Sequence, residues 1–380
     1  MITPAQRAQH RAWLEAVTVI PTAAGREQRV IRWIENWVAS RSRLTLRTDK
    51  VGNLLIRHVD RPAGGRPIDI TAHLDHPAFV VHEIRDRHEV VLEFRGGVHT
   101  PYFENARIEL FDQHDRAHRA RIETIDDRAT PFKMVTARIA RGTAAALTPG
   151  DVGRWAFSGT LPRVRPGNRF ETHACDDLAA VAAALSALDV LHRRRGFEHV
   201  GILFTRAEEI GFVGAIGACK SRSVPKKTRL ICLENSRSFA DSPIGSGPIV
   251  RVGDRLSVFE PDLTNRLGAI MLAHAETDPT FRWQRKLMPG GACEATAFST
   301  YGYESTCVCL PLGNYHNMRD IDGVLEGRRP AKVGPECISL DDYHGLVELL
   351  VICCGRLDDD TLPPLVDRME RLWTERRFVL

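Results

Sequence analysis

The chain has 380 residues, 43% of them apolar and 26% charged, enough for one large α/β domain plus a smaller one. Its 52 basic and 48 acidic residues leave a net charge of only +4, and no basic tract is interleaved with aromatics, which argues against a nucleic-acid partner. The longest apolar stretch, "LAAVAAALSALDVL" from Leu178, is too short to span a bilayer and is interrupted by Asp189. The N-terminus "MITPAQRAQHRAWLEAV" lacks an apolar signal core, so a cytoplasmic protein with no membrane partner is expected.

Residues 4–40 carry Trp13, Leu14 and Val17, then Val30, Ile31, Ile34 and Trp37, at helical spacing, and the Pro21–Gly25 stretch divides them into two helices. "VGNLLIRH" (Val51–His58) and "IDITAHLD" (Ile68–Asp75) read as strands on either side of the turn-rich "RPAGGRP". From about His76 to Arg165 the texture changes to short alternating runs such as "EVVLEF" and "ARIELF", punctuated by Gly, Pro and Asp, which predicts a small all-β module.

Strand and helix then alternate. A helix over Asp177–Arg195 leads to the strand His199–Thr205, and a helix over Phe212–Lys220 leads to the strand Thr228–Glu234. Helices near Asp262–Thr277 and Gly291–Tyr301 precede the strand Ser305–Leu312. The stretches "SLDDYHGLVELLVICCGRL", with Ser339 as N-cap, and "LPPLVDRMERLWTERRF" close the chain as helices. The expected fold class is therefore α/β: a mostly parallel mixed sheet flanked by helices, formed by residues 1–75 and 166–380, with a β-barrel-like domain inserted at 76–165. All nine cysteines follow Ala174 and none forms a C-x-x-C pair, a pattern expected of reduced, buried thiols.

In open α/β sheets, sites collect beyond the carboxyl ends of strands. Here "ITAHLD" ends in His73 and Asp75, "ILFTRAEE" in Glu208 and Glu209, "LICLENS" passes Glu234, and "CVCLPLGNYHN" leads to His316. "THACDDLAA" adds Asp176 and Asp177 at the start of an apolar helix. The Glu208–Glu209 doublet is the sharpest of these signals, because adjacent carboxylates repel unless something positive lies between them. Each residue alone has an ordinary explanation: a surface turn, an N-cap or a strand-end histidine. Two imidazoles with three or four carboxylates, all at the ends of predicted elements, form the mixed N/O donor set expected for zinc or a similar divalent ion.

With these motifs in order, the chain resembles the glutamyl-aminopeptidase or tetrahedral-aminopeptidase family of dinuclear metallopeptidases in the zinc peptidase superfamily. The matching stretches are "AHLDHPAF", "HACDDLAAV", "AEEIGFVGA", "CLENS", "PGGACEATAF" and "GNYHNM". The gap of 103 positions from His73 to Asp176, reading as β, is where that family carries its insertion.

The resemblance implies that Asp176 bridges two divalent ions, zinc with cobalt or manganese as alternatives. His73 and Glu234 would complete one site, and Glu209 and His316 the other. It implies Glu208 as general base for a metal-activated hydroxide, short peptides as substrates, and self-assembly into a homo-oligomer, with a dodecamer as the form the family takes. Asp75 shares a face with His73 under period-two alternation and suits a carboxylate that orients the imidazole. Asp177 reads as the start of the helix, and Glu294 as either a first-turn acid or a group near the substrate amine.

Departures from the family pattern are Glu234 in place of an Asp, Arg206 and Ala207 before the doublet, and no Ser after the late His. They keep two alternatives open: an acyl-amino-acid amidohydrolase of the same superfamily, and a catalytically inactive binding or assembly protein on that fold.

Overall fold

The computed structural model describes residues 2–62, 66–139, 144–359 and 365–380. The tip of the "RPAGGRP" turn and the first residues of the predicted last helix lie outside the described residues.

Four parallel strands form the middle of an eight-stranded mixed sheet, in the order Val200–Thr205, Ile68–His73, Arg229–Arg237, Glu304–Leu312. They are almost wholly buried, because helices cover both faces. On one face Ile70, Ile202, Phe204, Ile231 and Val308 pack against the helices Pro4–Val17, Leu178–Leu191, Pro261–Thr277 and Leu340–Arg356. The alternate residues Leu203, Leu230, Cys232 and Cys307 face the helices Val213–Ser221 and Glu294–Thr300. The helix Leu178–Leu191 is apolar all round because it is buried all round, and its Ala-rich sequence allows close approach.

The flanks of the sheet were not legible in full. Leu44–Thr48, Ile249–Gly253 and Gln284–Leu287 are additional strands, the first and last at the two edges. Both edge strands are short and half-polar, so the alternation that marks a strand is weak. The Val51–His58 strand begins only at Leu54, because Val51 to Asn53 turn around the Asp49 carboxylate.

Between Ala78 and Trp155 six strands close into an antiparallel barrel, in the order Ala78–Ile84, Glu89–Arg95, Lys133–Ile139, Ala117–Asp126, Arg107–Phe111, Val152–Trp155. Its core is aromatic: Phe79 meets Phe94 at 4.9 Å and Trp155 at 4.8 Å, and Phe94 meets Phe103 at 4.8 Å, all edge-to-face. Met318 and Ile321, which follow the last central strand, join this core and fasten the barrel to the sheet's carboxyl edge. A three-stranded sheet of Arg163–Arg165, Arg169–Thr172 and Glu336–Ser339 carries the chain back from the barrel. No helix among the described residues is long and apolar enough to cross a membrane. All nine cysteines are free and buried.

Candidate metal centre

The carboxyl ends of the four central strands converge on one point. His73 is the last residue of its strand, Glu208 and Glu209 follow Thr205, Glu234 lies within Arg229–Arg237, and His316 follows Leu312. Asp176 reaches the same point from the turn before the helix Leu178–Leu191. His73 Nε2 lies 3.3 Å from Asp176 Oδ1, 3.8 Å from Glu208 and 3.9 Å from Glu234. His316 Nε2 lies 3.4 Å from Asp176 Oδ2 and 3.4 Å from Glu209 Oε1. The structure thus gathers His73, Asp176, Asp177 and Glu234 into one potential ligand group, and Asp176, Glu209 and His316 into another, with Asp176 in both. A third group joins His73 to Glu208 and Glu209.

Both imidazoles have their tautomers fixed from behind. His73 Nδ1 donates to the Asp75 carbonyl at 3.2 Å, and His316 Nδ1 donates to the Gly97 carbonyl, on the barrel, at 2.6 Å. Each Nε2 lone pair therefore points at carboxylate oxygens. Such contacts need a proton or a cation between the atoms, and Asp176 Oδ1 and Glu209 Oε1 are buried without a hydrogen bond. Spacings of 3.3 to 3.4 Å are those of ligand atoms sharing a cation, since bonds of about 2.0–2.2 Å at tetrahedral angles put neighbouring donors about 3.3–3.5 Å apart. The donor set fits a divalent cation.

Electrostatics agrees. Burial pushes Glu208 and Glu209 well above the usual carboxylate range, and neighbouring carboxylates push them further: Glu234 and Glu294 on Glu208, Asp176 on Glu209. Burial and Asp176 likewise raise Glu234. Burial opposes a charged His73, yet Glu208, Asp176, Asp75 and Glu234 together raise it well above the ordinary imidazole range. Only Asp176 is lowered, against its burial, because it faces both imidazoles. The cluster is short of positive charge.

The surrounding hydrogen bonds differ from expectation in two places. Asp75 does not grip the His73 ring with its carboxylate, whose nearer oxygen is 3.6 Å from Nδ1. That carboxylate instead accepts the N–H groups of Glu208 at 2.9 Å and Glu209 at 3.0 Å, so it sets the backbone of the doublet. Asp177 precedes the helix but does not cap it; its carboxylate accepts from His73 N at 3.2 Å and Asn235 Nδ2 at 2.7 Å.

Other supports escaped the sequence reading. Glu336 accepts the N–H groups of Cys175, Asp176 and His316 at 2.7, 2.9 and 2.8 Å, holding two metal-facing segments together. His76 Nδ1 donates to the Asp176 carbonyl. Arg206, a departure from the family pattern, pairs with Glu27 at 2.7 Å, and Glu27 also accepts from Ala207 N at 3.0 Å. These bonds hold Ala207 at φ +54°, a left-handed conformation costing about 1–2 kcal/mol. Arg206 also runs over Gly52, where any Cβ would come within 2.4 Å of the guanidinium. Glu294 is buried, its Oε2 accepting from Thr205 at 2.7 Å while Oε1 has no partner. Burial raises it to about 7, and it joins none of the ligand groups among the described residues.

Set beside known proteins, residues 52–326 match the family model described as M42 glutamyl aminopeptidase, well over half of the chain. The chain belongs to the M42 family. It is a peptidase hydrolase, and the family is metal-dependent. A search of curated proteins gives no match. Among solved structures, the Pyrococcus horikoshii TET1 peptidase superposes with a TM-score of 0.70 at 19% identity, covering 91% of this chain and 99% of that one. An aminopeptidase from Desulfurococcus kamchatkensis gives 0.71 at 18%, covering 94% and 98%. A TET aminopeptidase from Thaumarchaeota archaeon SCGC AB-539-E09 gives 0.73 at 16%, covering 93% and 99%. At these identities the M42 neighbours establish the fold, including the barrel.

Proposed function

We propose that this M42 chain is a dinuclear aminopeptidase that removes the N-terminal residue of short peptides, with Glu208 as its general base. The observation that carries the reading is Asp176, which offers one oxygen to each of two ligand groups. His73 and Glu234 would hold one ion, Glu209 and His316 the other, and Asp176 would serve both; the N/O donors suit zinc, with cobalt or manganese as substitutes. Bound cations supply Lewis acidity, acidifying a coordinated water and polarising the scissile carbonyl.

Glu208 lines an open cleft of about 480 Å³ together with Glu209 and His316, and Glu234 lines a smaller pocket that shares Gly290, Gly291 and Tyr315 with it. With Glu209 assigned to an ion, Glu208 is the cleft-lining carboxylate left free to exchange a proton. It takes a proton from the attacking water and returns it to the leaving amine. Asp75 acts through position, fixing the backbone from which Glu208 projects.

The barrel, as part of the inserted domain 76–165, supplies the Gly97 carbonyl that orients His316, so the insertion completes the site as well as shaping its entrance. TET1 of Pyrococcus horikoshii can assemble into a tetrahedron or a large octahedral shell, and a homo-oligomer, a dodecamer in the tetrahedral case, is the corresponding proposal for this chain. A monomeric mass by light scattering would remove it.

The activity is tested with amino-acid p-nitroanilides, alongside elemental analysis of the protein. Two equivalents of metal per chain, turnover abolished by chelation, and a roughly 10²–10⁴-fold loss in Glu208→Gln with its metal retained are expected. Full turnover by Glu208→Gln, or one equivalent of metal at full activity, would refute the respective half.

A further inference from the structure

The helix Leu365–Arg376 has no buried residue, and it lies outside residues 52–326, the part of the chain matched to the family. Its apolar side chains are not scattered. At 3.6 residues per turn Leu365, Val366, Met369, Leu372 and Trp373 fall within an arc of about 120°. Leu365, Val366, Met369 and Trp373 are 48–63% exposed. Twelve residues are too few for a helix to persist in water on propensity alone, so this one needs something against its stripe. None of the described residues buries it.

The charges beside the stripe say what fits there. Arg368 and Glu375, two turns apart, border the same edge, and neither has an ion-pair partner among the described residues. Two such helices can lie antiparallel with Met369 of one against Leu372 of the other, which puts a two-fold axis beside Glu370 and Arg371. Arg368 of each copy then faces Glu375 of the other, and Val366 faces Trp373, so both edges of the seam are matched. In a parallel pair Arg368 would meet Trp373, and Glu375 would meet no cation. The stripe is complementary to itself in the antiparallel orientation.

We propose that Leu365–Arg376 is a docking helix for the same helix of a second copy of this chain, paired antiparallel about a two-fold axis. Five apolar side chains per helix cover less than the roughly 800 Å² a side of a free-standing interface, so the pair adds to subunit contacts made elsewhere. The inference goes beyond the homo-oligomer proposed above, which rests on similar structures, and it does not depend on the peptidase reading.

All nine native cysteines are buried, so a thiol introduced on this helix is the one open to a maleimide. Full-length Leu372→Cys, beside the axis, and Thr374→Cys, on the opposite face, are treated with a short bismaleimide, and the covalent dimer is read on a denaturing gel. Leu372→Cys is expected to cross-link at least about fivefold faster than Thr374→Cys. Adding Arg368→Glu sets like charges across the seam and should slow the Leu372→Cys cross-link about threefold or more. Adding Glu375→Arg as well reverses each pair and should restore the rate to within about twofold. Equal rates at the two positions, or a Leu372→Cys rate indifferent to the charge changes, overturn the pairing. A Leu372→Cys thiol that resists a monofunctional maleimide is covered by the body of the chain or by another molecule, and overturns it too. The gel reads the same whether or not any amide substrate is turned over, so failure of the peptidase reading leaves this test intact.

Discussion

The protein buries carboxylates in two quite different ways. Asp189, near the end of the helix Leu178–Leu191, has its cations built in: Arg41 contacts it at 3.2 Å, Arg193 at 2.9 Å, and the His10 ring lies 3.9 Å away. Burial pushes Asp189 up, but His10, Arg193 and Arg41 outweigh it and hold the group down to about 2. Asp69, inside the central sheet, is likewise flanked by Arg57 at 2.6 Å and Arg61 at 3.0 Å. At the strand ends Glu208, Glu209 and Glu234 form no ion pair with an arginine or lysine among the described residues, their ion-pair partners are imidazoles, and all three are raised. At Asp69 and Asp189 the chain places arginines in direct contact, and at this cluster it places none among the described residues. The missing charge is left for a ligand, and the fold carries that strain until one binds.

The largest test of this contrast is to remove the cations. Each of two sites held at a free concentration about 100 times its Kd stabilises the fold by about 2.7 kcal/mol, so chelation should lower the thermal midpoint by roughly 7 °C. Glu209→Gln removes one charge from the unbalanced cluster. Its metal-free form is expected to be at least as stable as the metal-free wild type, while its response to added cation falls by about half. A midpoint indifferent to chelation would dissolve the distinction between the two kinds of carboxylate.

The next effect is smaller and concerns how the cluster is held. Glu336→Ala leaves the buried N–H groups of Cys175, Asp176 and His316 without an acceptor, and an orphaned buried donor costs about 1–3 kcal/mol. Denaturant unfolding should register a loss of about 3 kcal/mol or more, accompanied by weaker cation binding. Retained stability with retained binding would mean that the bridge is dispensable.

Why the sequence disclosed the cluster and concealed its supports follows from chemistry. His73, Glu208, Glu209, Glu234 and His316 lie within or just beyond four strands whose apolar runs are plain, so their position in the sheet could be read from pattern alone. The barrel was legible for the same reason, through alternation between turns. Glu336 left no such mark. It sits in a short strand 160 positions from Asp176, and it acts on backbone N–H groups that any residue could supply. The Gly97 carbonyl is less visible still, since a main-chain oxygen has no sequence signature. Asp75 lies two residues past the end of the strand it was expected to share with His73, and periodicity cannot say whether a carboxylate will reach a ring two residues back or the amides of another loop. The edge strands Leu44–Thr48 and Gln284–Leu287 were lost to their half-polar composition.

The smallest effect tests the other half of the contrast, because a carboxylate with built-in cations should report on acid rather than on metal. Asp189 is lowered from an ordinary value near 3.8 to about 2, so its ion pairs stabilise the fold above pH 4 and are lost as the pH falls towards 2. The full shift corresponds to about 2 kcal/mol, and partial screening around the exposed Arg193 reduces it to about 1–2 kcal/mol. Asp189→Asn should therefore be less stable than the wild type by that amount at pH 7, with the difference closing between pH 4 and pH 2. Its response to chelation should equal that of the wild type, since Asp189 belongs to none of the ligand groups. Chemical unfolding at a series of pH values, with and without chelator, reads both quantities. A penalty that persists undiminished at pH 2 would show that Asp189 holds its neighbours by packing and neutral hydrogen bonds, and that its arginines are not the reason it can be buried.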